Sequence, residues 1–223
     1  MRAVRLGALS LALAVVACAS GPPTPEWQVN AKSSVDRAVA AYLTGDTRTS
    51  TAEFERARSE IARTGRIDLL ARAELMLCAA KVASLVFEPC EGFEKLRLDA
   101  AAPERAYADY LAARLQPEAV ALLPSVQRDV AAKRTSDDAP IAAVKGIDDP
   151  LSRLVAAGVL FQSGKANPAL LSLAVESASA QGWRRPMLAW LGAQRMGAEK
   201  AGDTNAEERL RRQIDVIEQT PVR

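Results

Sequence analysis

From Val35 onward, apolar residues recur at intervals of three and four, the spacing that places them on one face of an α-helix. Val35, Ala38, Val39 and Tyr42 keep this spacing, TGDTRTS (44–50) interrupts it, and Phe54, Ala57 and Ile61 resume it. That pattern predicts a helix-turn-helix pair. The next helix starts near Asp68, with Leu69, Ala73, Leu77, Ala80 and Ser84 on one face, widened by Leu70, Leu75, Met76 and Val82. A helix apolar around so much of its circumference is expected to be central. Its pattern can be followed to Phe87, before Pro89 ends it. A short segment with Phe93, Leu96 and Leu98 follows, and Pro103 opens a helix bearing Tyr107, Tyr110 and Leu111. Pro117 and Pro124 punctuate the next stretch, and TSDDAP (135–140) marks a boundary or long loop.

A second group of helices begins at IDDPLSRLV (147–155), where Asp148 or Asp149 can cap and Pro150 suits the first helical position. Leu151, Leu154, Val155, Leu160 and Phe161 supply its buried stripe, and Gly164, Asn167 and Pro168 form the next turn and helix start. Leu170, Leu171, Leu173, Ala174 and Ala178 continue until Gly182 closes that helix. Pro186 opens another with Met187, Trp190, Leu191 and Met196, and a final helix carries Leu210, Ile214 and Ile217. About nine helices and no strand are expected. The fold class is therefore all-α, built of antiparallel helical hairpins stacked as a degenerate repeat or solenoid-like bundle. Residues 31–134 and 141–223 form its N- and C-terminal regions, or one continuous domain over 31–223.

VAAYLTGDTRTSTAEFERA (39–57) places Tyr42, Gly45-Asp46, Phe54 and Ala57 in an order that resembles the tetratricopeptide repeat. LAWLGAQRMGAEKAGDTNAEERLRRQI (188–214) resembles it through Leu191-Gly192, Gly202-Asp203 and Ala206. Both depart from the 34-residue pattern of that family: the first has extra residues between Gly45 and its second helix, and in the second the spacing from Leu191-Gly192 to Gly202-Asp203 is about one turn too long. The resemblance implies a concave scaffold that binds protein segments, not a catalyst, and no groove residue carries over from it.

The N-terminus has a different character. Arg2 and Arg5 precede an apolar run from Leu6 to Ala17 and small residues around Cys18, the layout of a secretory signal peptide. The run is shorter than the roughly 20 residues a spanning helix needs. Val15-Val16-Ala17-Cys18 resembles the lipobox of bacterial lipoproteins. That resemblance implies a signal peptide over 1–17, cleavage before Cys18, and acylation of Cys18 with palmitate-like chains; each buried methylene adds about 0.8 kcal/mol of membrane affinity. An ordinary signal peptide with a cysteine near its cut is the alternative. Ala19 to Pro25 holds three prolines and no large apolar residue, so 18–30 reads as a lipidated flexible tether. Neutral Ala19 and Ser20 after the cysteine imply, by the lipoprotein sorting rule, the outer membrane with the domain facing the periplasm; the inner membrane is the less favoured location.

Removing 1–17 changes both charge and cysteine count. The chain has 29 Lys+Arg against 27 Asp+Glu, and Arg2 and Arg5 leave with the signal, so the mature chain is balanced. No net basic charge remains to attract nucleic acid. Of three cysteines, Cys78 and Cys90 are left in a compartment that permits disulfides. A bridge closing about 13 residues would be worth roughly 3 kcal/mol. Against it, a helix from Cys78 to Phe87 would carry the chain about 13 Å away, and three more residues return only about 10 Å. The pairing requires a prompt reversal at Glu88-Pro89 or an earlier helix end; two reduced thiols are the alternative.

Candidate chemistry is sparse. The absence of histidine removes Ser-His-Asp and Cys-His arrangements and every His-containing zinc site. GVLFQSGKA (158–166) has the wrong glycine spacing for a phosphate loop, and DTNAEE (203–208) lacks the glycine and the late glutamate of a calcium loop. No metal or cofactor is expected. Asp137-Asp138 and Asp148-Asp149 read as caps and loop residues, and Arg184-Arg185 and Arg209, Arg211 and Arg212 as solvated helix faces. Trp183, Met187 and Trp190 form either core or a partial groove in which tryptophan anchors a partner peptide. The expectation is a lipid-anchored interaction or envelope-assembly module without catalytic activity, bound to the membrane through Cys18 and to an envelope protein. A periplasmic hydrolase using Ser163 with Lys165, or Ser84 with Lys81, and a purely structural accessory subunit are the alternatives.

Overall fold

The computed structural model describes residues 24–134 and 139–220. Among them are eleven α-helices: α1 (Glu26–Thr44), α2 (Thr47–Ala62), α3 (Ile67–Ala83), α4 (Glu91–Glu94), α5 (Ala102–Leu111), α6 (Ser125–Lys133), α7 (Ala139–Lys145), α8 (Pro150–Gln162), α9 (Pro168–Ala180), α10 (Arg184–Ala201) and α11 (Thr204–Glu218). A 3-10 turn, Pro117–Leu122, joins α5 to α6, and no strand occurs among the described residues. The fold is all-α, as the periodicity predicts. The count exceeds the expected nine because the proline-punctuated stretch from 117 to 145 breaks into three short elements, and Phe93 sits in a helix of one turn.

Local chemistry sets most of the boundaries. At the end of α1, Gly45 adopts φ 101°, a left-handed conformation that costs glycine little, and its N–H donates to Ala41 and Tyr42 carbonyls. Asp46 then caps α2 by accepting the Thr49 N–H at 2.9 Å. The α10–α11 turn repeats this design: Gly202 sits at φ 70°, and Asp203 accepts the Ala206 N–H at 2.9 Å. Asp149 and Asn167 cap α8 and α9 the same way, each followed by a proline at the first helical position. Two expectations need correction. Residues 26–30, assigned to the tether, belong to α1, because Glu26 favours the positive N-terminal end of the helix dipole and Trp27 brings the first large apolar side chain. The helix through Cys78 stops at Ala83 instead of running to Phe87; Ser84 is its cap and Leu85 takes φ 57°. Phe87 remains apolar for another reason, stacking on Phe161 with ring centroids 6.2 Å apart.

That early stop lets the chain return. Cys78 and Cys90 are joined in a disulfide with Cα atoms 6.0 Å apart. On the same side, Gly92 lies so close to the Glu74 carboxyl that a Cβ there would overlap Oε2.

α3 is central, packing against α1, α2, α5 and α8. It crosses α8 closely, where Gly158 meets the Val82 backbone and a Cβ would lie 2.4 Å from the Val82 oxygen. One apolar core contains side chains from both sides of the 135–140 stretch, among them Leu75, Phe93, Tyr110, Leu154, Leu160 and Trp190. A second core, formed by α1, α2 and the outer face of α3, includes Val39, Leu43, Phe54 and Ile61. A buried polar chain crosses the first core: Tyr110 Oη donates to Gln127 Oε1 at 2.8 Å, and Gln127 Nε2 donates to the Ser152 carbonyl at 2.9 Å. Contacts between α3 and α8, and between α1 and α10, tie together elements far apart in sequence. The hairpins therefore close around α3 as a bundle.

Candidate binding groove

The residues singled out from sequence have separate fates. Cys18, Asp137 and Asp138 lie outside the described residues. Trp190 cannot anchor a partner: it is fully buried, its Nε1–H donates to the Ala83 carbonyl at 3.0 Å, and Phe161 meets it edge-on at 5.7 Å. Of the two readings of this group, the core one holds for Trp190, while Trp183 and Met187 are half-buried against the same core. The physical reason is that Ala83 ends α3 and its carbonyl needs a donor, which the indole supplies. Arg184 and Arg185 are likewise no solvated face. Arg184 donates to the Ile217 and Glu218 carbonyls at the end of α11. Arg185 donates to the Tyr42 carbonyl at 2.7 Å and to Thr47 Oγ1 at 2.8 Å, with its guanidinium 4.2 Å from the Tyr42 ring centre. Arg209, Arg211 and Arg212 remain exposed.

The serines proposed for a Ser-Lys pair are engaged elsewhere. Ser84 Oγ donates to the Ala80 carbonyl at 3.0 Å and Ser163 Oγ to the Val159 carbonyl at 2.7 Å, each one turn back along its own helix. Lys81 pairs with Glu88 at 3.4 Å. Among the described residues, no group of three or more Cys, Asp or Glu is placed to hold a metal ion.

Two hollows with largely apolar lining lie elsewhere, beside α3. One hollow of about 340 Å³ lies between α1 and α3, walled by Trp27, Ala31, Val35, Ile61 and Leu69. A second, of about 370 Å³, lies between α3, α5 and the 3-10 turn, walled by Leu75, Pro103, Tyr107, Leu122 and Leu123. Arg72 and Met76, one turn apart on α3, line both. The hollows thus share a single ridge. Met76 on that ridge is 40% exposed and Leu122 at the far rim 41%, so large apolar side chains remain open to solvent along the groove.

Two polar groups meet at the ridge. Arg72 Nε donates to Glu104 Oε1 at 2.6 Å, joining α3 to the first turn of α5. Glu104 is only 7% exposed, and its second oxygen, Oε2, is buried without a hydrogen-bond partner among the described residues. Nearby, burial pushes the Tyr107 phenol well above its usual range, with a further upward contribution from Asp149. The two hollows are thus largely apolar, with the Arg72–Glu104 pair as the polar group on the ridge between them.

No sequence signal pointed here. Glu104 follows Pro103 in a helix's first turn, where an acid is ordinary, and Arg72 is 32 residues away on another helix. Comparison with protein-family models, curated proteins and solved structures finds no match. The reading of this groove therefore rests on its own geometry.

Proposed function

We propose that the protein is a lipid-anchored bacterial envelope lipoprotein whose helical domain is a protein-interaction module, with the groove beside α3 as its binding surface. The observation that carries the reading is the pair of largely apolar hollows, of about 340 and 370 Å³, that share the Arg72–Met76 ridge. Specific recognition favours such concave apolar surfaces with few polar groups. The turns Gly45-Asp46 and Gly202-Asp203 support kinship with helical-repeat scaffolds, because each joins two antiparallel helices through the same left-handed glycine and aspartate cap. The lipobox-like Val15-Val16-Ala17-Cys18 supports anchoring, and the neutral residues after it support the outer membrane. Seven residues lie between Cys18 and Glu26, eight backbone steps in all, so covalent reach alone holds the start of α1 within about 28 Å of such an anchor. Trp27, at one end of the groove, would work close to the membrane surface. Among the described residues, no helix is long and apolar enough to cross a membrane.

Photo-crosslinking in intact cells tests the module reading. A photoreactive residue at Met76 or Leu122 is expected to give the same envelope-protein adduct, whereas one at Val216, which is 67% exposed on α11, gives none. Identical, diffuse adducts from all three positions would refute it. Anchoring is tested separately: Cys18→Ser should abolish lipid labelling and release the protein from the membrane fraction, and unchanged labelling would refute the lipobox reading.

A further inference from the structure

We infer that the Cys78–Cys90 bridge is a reversible redox switch, opened by a dithiol while the protein stays folded, and that its opening frees the turn over 88–91 without disturbing the helical bundle. The inference goes beyond the interaction-module reading and uses none of the groove residues.

The bridge is reachable. Cys78 and Cys90 are both partly exposed. Two hollows, each of about 420 Å³, open on it, and both cysteines line each of them. Exchange requires a thiolate to touch a sulfur, so a disulfide open to solvent is the labile kind. Charge selects between the two approaches. The hollow toward α5 sets Lys81 and Arg114 against Glu88 and Glu94, a balanced rim. The hollow toward α4 sets Lys81 against Glu74, Glu88 and Glu91, and so repels an anion. A thiolate therefore enters from the α5 side.

The step balances with the dithiol as the reductant. One of its thiolates attacks one sulfur of the bridge and forms a mixed disulfide, while the other bridge sulfur leaves as a thiolate and takes up a proton. The second thiol of the dithiol, losing its proton, then attacks the mixed disulfide and releases the remaining cysteine. Two electrons and two protons pass to the Cys78 and Cys90 sulfurs, and the dithiol is oxidised to its disulfide.

What the bridge holds is short. Phe87 stacks on Phe161, and Phe93 is fully buried, so both flanks stay seated by packing that does not involve sulfur. Between them Glu88, Pro89 and Glu91 are exposed, and the Glu91 N–H donates to the Pro89 carbonyl within the turn itself. Lys81 and Glu88, 3.4 Å apart, tie the turn to α3 through an exposed ion pair, a weak hold. Opening the bridge thus releases 88–91 and leaves the aromatic anchors on either side in place.

The test uses the full chain, oxidised, with dithiothreitol as the dithiol. Thiols are trapped with N-ethylmaleimide and counted by mass, and two additions beyond those of the oxidised chain report the open bridge. The opening rate should rise in proportion to dithiothreitol and change by less than about twofold in urea too dilute to unfold the chain, because direct access exposes little new surface. In the reduced chain, hydrogen exchange across 88–91 should quicken by about tenfold or more, with the amides of α3 and α8 and the far-ultraviolet circular dichroism unchanged. Oxidised glutathione should restore the first state, and Cys90→Ser should show the same local exchange as the reduced chain. A rate that climbs steeply with urea, or that no longer rises with dithiothreitol, means that the bridge opens only through unfolding and overturns the inference. Unchanged exchange across 88–91 after reduction, lost protection in α3 and α8, or a Cys90→Ser chain that does not fold would overturn it equally. Each of these outcomes leaves the groove reading untouched.

Discussion

Gly158→Ala offers a test in which helix propensity and tertiary packing predict opposite signs. Within an ordinary helix, replacing glycine by alanine is favourable by about 1 kcal/mol. Gly158 lies buried in α8 against α3, where an added Cβ would stand 2.4 Å from the Val82 carbonyl oxygen, 2.9 Å from Val82 Cγ1 and 3.1 Å from the Val82 carbonyl carbon. Comfortable contacts lie near about 3.5–4.0 Å, so the two helices must part by roughly 1 Å. The nearest obstacle is backbone in the last turn of α3 and cannot rotate aside. Overpacking of this kind costs about 1–3 kcal/mol, and a backbone obstacle places it at the upper end. Subtracting the propensity gain leaves a net loss of about 2 kcal/mol, or a Tm lower by about 4–8 °C for a chain of this size. Gly192→Ala and Gly197→Ala in α10 are the controls, because nothing lies within 4 Å of a Cβ at either position. They should raise stability by about 0.5–1 kcal/mol. Urea unfolding followed by circular dichroism measures all three. If Gly158→Ala unfolds at the same or a higher urea concentration than the parent, the close α3–α8 crossing is refuted.

Two further outcomes follow from single contacts. Trp190→Phe keeps the aromatic bulk but leaves the Ala83 carbonyl without its indole donor, and should cost about 1–3 kcal/mol in urea unfolding, whereas a loss near zero would show that the 3.0 Å bond contributes nothing. Asp68 is held at about 2, below its usual carboxylate range, first by hydrogen bonds from Arg66 and then by that guanidinium's charge. A depressed folded value means stability present above the unfolded value near 3.8 and lost as pH falls toward 2. Asp68→Asn should therefore be less stable than the parent at pH 5 to 8, with the two converging near pH 2; a gap that persists at pH 2 would contradict the assignment.

How much was legible depended on the range of each interaction. Asp149 with Pro150, Asn167 with Pro168 and the Asp203 cap could be read from a few neighbouring residues, because capping involves backbone groups three positions away. The end of α3 could not. Apolar periodicity carries on to Phe87, but that residue is apolar to meet Phe161, and periodicity cannot distinguish a side chain buried by its own helix from one buried by a loop folding back. The same ambiguity reaches the Cys78–Cys90 bridge, since its geometry depends on where that helix stops. Trp183, Met187 and Trp190 stand out in the sequence as an apolar group, yet whether they face a partner or the core depends on what α8 and the end of α3 place against them.

The candidate groove was the least legible feature. Its ridge, Arg72 and Met76, belongs to a helix apolar enough to be called central, and α3 is indeed central, but an arginine there gives no hint of a carboxyl waiting on α5. The Arg72–Glu104 pair exists only once α3 and α5 are in place. By itself the sequence determined the all-helical class, the hairpin turns at Gly45-Asp46 and Gly202-Asp203, and the balance of charge, since these follow from side-chain periodicity, short-range hydrogen bonds and composition. Only the tertiary structure decided which apolar faces close on one another and which stay open, because burial is settled by contacts between residues tens of positions apart.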